Sequence, residues 1–225
     1  MVGVALLVGV TAVAIAALTA GVGTVVESGA TGAEVQTAAR GLAAVLEPGA
    51  GGGTVTLATG SLSTVERDVR VLAGDRVVYE RGVGALTYRH AEGPRVVGLA
   101  GAVLHGRGTS AGFSRAPTLR AATGGDASAV YFGLVDLVGR VDVEFDRRRD
   151  VRVRAATDRR RTAVEAGTVA VETTTPGPWR AVLERRGATV TRRDVDGDGV
   201  ASVVADFEVD TVYVSVRAVE VSAGG

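Results

Sequence analysis

Three regimes of hydrophobic patterning follow one another along the 225-residue chain. Val2 to Val26 is unbroken: 25 residues without a charge, closed by Glu27. From Val35 to Leu46 apolar residues recur at spacings of three and four, with Glu34, Gln36 and Arg40 between them. That spacing lays a stripe along one face of an amphipathic helix. Pro48 and Gly49 to Gly53 then break the pattern, as proline and glycine do at a helix end. From Thr54 onward the period falls to two, which predicts strands. The expected fold class is α+β, with a long N-terminal transmembrane and amphipathic helix ahead of a β-rich, sandwich-like domain. The boundaries are 1–26 for the apolar helix, 27–48 for its amphipathic extension, 49–53 for a Gly-rich linker and 54–225 for the β-rich domain.

Within that last region Val65–Val71 and Arg76–Arg81 face each other across Ala73-Gly74-Asp75, a hairpin pattern. Arg95–Leu104, Ala129–Leu137, Val141–Phe145, Val151–Ala155 and Thr168–Thr173 are further strand candidates, and Thr211–Val221 alternates most cleanly. One short helix interrupts them. Pro178 suits a first helical turn and Gly187 a stop, and Trp179, Val182 and Leu183 share a face that belongs in a core. Stacking of Trp179 on a ligand is the sharper alternative.

The apolar start is long enough to matter. As a helix, 25 residues reach about 37 Å, more than the ~30 Å of a bilayer's hydrocarbon core. A signal peptide has a shorter apolar region behind a basic start, and a buried core helix rarely lacks polar residues over so many turns. Ala5, Gly9, Ala12, Ala16 and Ala20 place small side chains three and four residues apart. In lipid, helices associate where small residues let backbones approach, so this row is the candidate packing face for self-association.

The run VGVALLVGV followed by TAVAIAALTAGVGTVVES resembles the N-terminal domain of haloarchaeal type IV pilin-like proteins. The resemblance covers residues 1–48. It implies a leader removed by a prepilin peptidase, and an apolar helix that anchors the subunit in membrane lipid before packing with other pilin-like subunits in a filament core. It also implies an extracellular β-rich domain and a structural or adhesive role rather than catalysis. No glutamate precedes Glu27, which matches the archaeal form of the helix. No basic leader stands ahead of Val2, so the expectation is that it is gone or that the start lies upstream. A single-span anchored β-domain that binds without polymerising is the alternative function.

Composition narrows the chemistry. Cysteine is absent, which removes disulfides and thiolate catalysis, and only His90 and His105 could serve imidazole chemistry. Asp194, Asp196 and Asp198 with Gly199 occupy positions one, three, five and six of a calcium-loop pattern, and Ser202 falls at nine. Position twelve is Ala205, where a bidentate acid belongs. An Asp/Gly-rich hairpin loop fits the same residues, and no other cofactor is indicated. Gly108-Thr109-Ser110-Ala111-Gly112 matches a nucleophile elbow, but both histidines precede Ser110 and the next residues read as loop, so it is rejected. Residues 147–161 carry eight arginines against Asp150 and Asp158, without interleaved aromatics, and nucleic acid is not the expected partner. Seven acids against Arg217 in 194–225 supply the opposite charge, which could pair within the domain or guide contacts between subunits.

Overall fold

Alternating valines become two packed sheets because each strand buries every second side chain and must share that face with another layer. The computed structural model describes residues 30–47, 49–107, 110–122 and 128–223. Helix α1 runs over residues 30–45. The strands are β1 (Gly52–Leu57), β2 (Gly60–Ala73), β3 (Arg76–His90), β4 (Arg95–Leu99), β5 (Ala102–Arg107), β6 (Ser110–Arg115) and β7 (Thr118–Ala122). They continue with β8 (Ala129–Val138), β9 (Asp142–Phe145), β10 (Arg149–Val164) and β11 (Thr168–Glu172). Helix α2 (Pro176–Glu184) precedes β12 (Thr189–Arg193), β13 (Ser202–Asp206) and β14 (Thr211–Ala223). The smaller sheet has the order β1-β10-β14-β8-β7. The larger runs β12-β13-β11-β2-β3-β4-β5-β6, with β9 pairing alongside β2. The β8–β14 pair is parallel, with Val212 beside Val130 and Val219 beside Leu137.

The α+β expectation is corrected. The described chain is mostly β with two short helices, and among the described residues no helix is long and apolar enough to cross a membrane. The expected span at 1–26, its packing face at Ala5, Gly9, Ala12, Ala16 and Ala20, and Pro48 lie outside the described residues. Strand content exceeds expectation for two reasons. The stretch after Ser110, read as loop, pairs as β6 with β5 and then as β7 with β8. The arginine-rich strand runs well past the expected Val151–Ala155: β10 spans Arg149–Val164, and buried Val151 and Val153 alternate with exposed Arg152 and Arg154. Charged side chains on a solvent face do not interrupt a strand whose other face is apolar.

Two hydrophobic cores fill the interior. One collects Val69, Val71, Phe132, Leu134, Val214 and, from the buried face of α2, Trp179 and Leu183. Trp179 is fully buried and meets Phe113 edge-on at 5.8 Å, so its place is packing. The other core is built around α1. Val35, Ala38, Ala39, Leu42, Val45 and Leu46 pack with Leu62, Leu86 and Tyr88 of the larger sheet and Val151, Val153 and Val219 of the smaller. The stripe of α1 therefore finds its partner in the β-domain itself. Gly52 and Gly53, expected as linker, are already strand β1.

Two polar groupings accompany the cores. Arg81 of β3 pairs with Asp136 of β8 at 2.6 Å. Arg217 of β14 donates to the carbonyls of Leu46 and Ala50, both at 3.1 Å, and so caps the C-terminal end of α1 with positive charge. Turning Arg217 inward shifts the phase of β14: Val212, Val214 and Val216 are buried in one core and Val219 and Val221 in the other, leaving Ala218 out of the row. Where β3 crosses β8, a side chain at Gly84 would place Cβ 1.9 Å from the Leu137 carbonyl oxygen, so only glycine admits this approach.

Candidate functional site

Among the described residues a dense cluster of charge sits on the outer face of the larger sheet, and strand parity puts it there. Val69, Val71, Val169, Val171, Val203 and Ala205 point into the core. Their neighbours Asp68, Arg70, Ala170, Glu172, Ser202 and Val204 therefore face outward. Register then aligns Asp68 on β2, Glu172 on β11 and Ser202 on β13, because Val171 stands opposite Val69 and Glu172 opposite Ser202. The loop 194–200 folds back over this face. Val195 packs on Leu72, Ala170 and Val204, a small apolar cluster of its own.

Under that loop a buried guanidinium gathers carboxylates. Arg70, with its side chain 3% exposed, meets Asp68 at 2.6 Å, Asp196 at 2.6 Å and Glu80 at 2.5 Å. Arg67 pairs with Glu172 at 3.0 Å, and the Asp68 N–H donates to the other Glu172 oxygen at 3.2 Å. Burial pushes the Asp68 carboxyl up, opposed by Arg70 and reinforced by Glu80 and Asp196. Burial also pushes Glu172 up, against the Asp68 amide and Arg67. For Asp196, desolvation acts upward but Arg70 and the loop's own N–H groups outweigh it and hold the carboxyl below its ordinary value.

The loop is tied by its own acids. Asp194 accepts from the Gly197 N–H at 2.8 Å and the Gly199 N–H at 3.0 Å, and Asp198 accepts from the Val200 N–H at 2.8 Å. Gly197 and Gly199 have φ of 81° and 89°, the left-handed region that glycine tolerates. Oxygens of Asp194, Asp196 and Asp198 lie within 4.8 Å of one another, and so do oxygens of Asp68, Glu172 and Asp196. The two sets share Asp196. Ala205, at the place of a bidentate acid, is fully buried between the sheets, and the loop is flanked by β12 and β13 rather than by two helices.

Sequence reading located the three loop acids and missed Asp68, Arg70, Glu80 and Glu172. The Asp-x-Arg alternation at 68 and 70 is a signal for an outward strand face, but nothing along the chain joins it to residue 196. The other candidates disperse. Gly108 and Thr109 lie outside the described residues; Ser110 is exposed at the start of β6, opposite Arg107. His105 meets Ser114 at 2.8 Å instead. His90 is buried: its Nδ1 accepts from the Glu92 N–H at 3.2 Å, so Nε2 carries the proton and donates to Glu34 of α1 at 3.1 Å. In the basic run, Arg148 approaches Glu34 at 3.7 Å and Arg154 stands opposite Glu220. Asp196, from the acidic segment, serves Arg70 rather than that run.

Neither a curated protein nor a solved structure matches the chain. A family model described as a family of unknown function (DUF7289) matches residues 1–222, and the chain belongs to that family.

Proposed function

We propose that this chain is a type IV pilin-like surface subunit, held in a membrane by Val2–Val26 with its β-rich domain extracellular. Its role is assembly rather than turnover. The observation that carries the reading is the 25-residue run without a charge, long enough as a helix to cross a hydrocarbon core. The position of α1 adds support. Its apolar stripe is buried in the β-domain, so the stripe is not free for helix packing, and the small-residue row Ala5, Gly9, Ala12, Ala16 and Ala20 ahead of it is the face proposed for partners.

The natural absence of cysteine makes the test direct. The full chain carrying Ala12→Cys is expected in the carbonate-resistant membrane fraction and to form a covalent dimer on mild oxidation. Adding Gly9→Leu should reduce the dimer several-fold while leaving the protein in the membrane, because bulk at a close helix contact costs packing. Amino-terminal sequencing of native protein should place a cut just ahead of the apolar run. Membrane retention without any dimer would favour a single-span anchored β-domain that does not polymerise, and a soluble monomer would remove the proposal altogether.

A further inference from the structure

We propose that the outer face of the larger sheet binds a divalent cation of the calcium class, held by Asp68, Glu172, Asp196 and the Ser202 hydroxyl. This site differs from the loop-only pattern at Asp194, Asp196 and Asp198, because two of its carboxylates come from strands of the sheet. It is independent of how the chain is anchored.

Three separate segments bring carboxylate oxygens to within 4.8 Å of one another. Calcium takes oxygen ligands at about 2.3–2.6 Å, so opposed oxygens in its shell stand up to roughly 5 Å apart and the spacing fits. Charge points the same way. Asp68, Glu80, Glu172 and Asp196 gather around Arg67 and Arg70, and the loop acids Asp194 and Asp198 stand beside Asp196, so acids outnumber arginines on this face.

Ser202 is the independent sign. It is 0% exposed, and its Oγ has no hydrogen-bond partner. Its backbone register places it directly opposite Glu172, on the carboxylates' face of the sheet and away from the core that Val203 enters. A buried hydroxyl without a partner is costly. A cation seated between it and Glu172 would use its lone pairs. Arg70 Nη2 bridges Asp68 and Asp196, and the two Glu172 oxygens accept from Arg67 and the Asp68 N–H, yet each carboxylate oxygen keeps lone-pair capacity beyond one hydrogen bond. Oxygen ligands without nitrogen or sulfur select a hard cation, and ligands drawn from a sheet and a loop suit calcium's adaptable shell better than magnesium's strict octahedron. The consequence is mechanical: the ion would clamp the loop 194–200 onto the sheet.

The test uses the full chain in detergent, stripped with chelator and titrated with calcium chloride by calorimetry and thermal melting. A dissociation constant on the order of 10⁻⁴–10⁻³ M, the range of extracellular calcium modules, is expected, with a melting temperature that rises as calcium is added. Glu172→Gln should weaken binding at least tenfold and Ser202→Ala several-fold, each judged by the calcium-induced shift over its own baseline. Should Glu172→Gln fail to fold, Ser202→Ala carries the comparison. Absence of any calcium effect overturns the proposal. So does wild-type affinity in both variants, which would assign the ion to the loop acids alone, or equal affinity for magnesium.

Discussion

Tyr88 shows how much one side chain's surroundings decide. Its ring stacks on Phe145 at 6.3 Å with planes 6° apart, and the residue is 2% exposed within the core that α1 closes. Burial, with Glu34 nearby, pushes its phenol up to about 12. An unfolded tyrosine titrates near 10. Below about pH 10 both states hold the proton and the stabilising contribution is fully present; between about 10 and 12 only the folded state keeps it. Folding stability therefore falls as pH rises through that window. Tyr88→Phe should flatten that fall, as read from urea midpoints at several alkaline pH values, and an unchanged slope would count against the assignment. The same scale explains what was visible in the acidic site. Asp194, Asp196 and Asp198 are neighbours in sequence and announce themselves by spacing, whereas Asp68 and Glu172 acquire meaning only beside them.

At the scale of the element, α1 is the instructive case. Its stripe at 35, 38, 39, 42, 45 and 46 is legible in the amino acids because helical period is a local property. What the stripe meets is not, and it proves to be the interior between two sheets. Leu46 is 0% exposed there and its carbonyl is held by Arg217. Leu46→Ala should cost about 2–5 kcal/mol, the range for emptying a buried leucine site. Chemical denaturation checks this, and a cost near zero would mean that α1 is an independent extension. Strand β10 makes the complementary point. Its arginines mark a solvated face, and its buried valines make it a strand.

For the whole molecule, the long strands β2, β3, β8 and β14 pass through both cores, so neither core is free to melt alone. Trp179, the sole tryptophan, reports on one core while Leu46 belongs to the other. Unfolding followed by Trp179 fluorescence and by far-ultraviolet circular dichroism should give one coincident transition, and Leu46→Ala should lower both midpoints together. Two separate transitions would mean that the two cores unfold as independent units. Assembly belongs to this scale as well. With the apolar stripe of α1 buried in the β-domain, the proposed assembly through the apolar start and the proposed cation site on the outer sheet face are tested separately, by the dimer and by the calcium measurements.

The amino acids by themselves determined the periods: the uncharged run at the start, the amphipathic stripe, the two-residue alternation of most strands, and the short proline-led helix around Trp179. Each depends on residues a few positions apart, where side-chain direction follows backbone geometry alone. The order of strands in the sheets, the parallel union of β8 and β14, the seat of α1 and the meeting of Arg70 with Asp196 came from long-range packing. Arg70 and Asp196 are 126 positions apart, and Arg217 and Leu46 are 171. Over such distances the outcome rests on which faces can be buried together once the chain has collapsed, and local pattern carries no record of that choice.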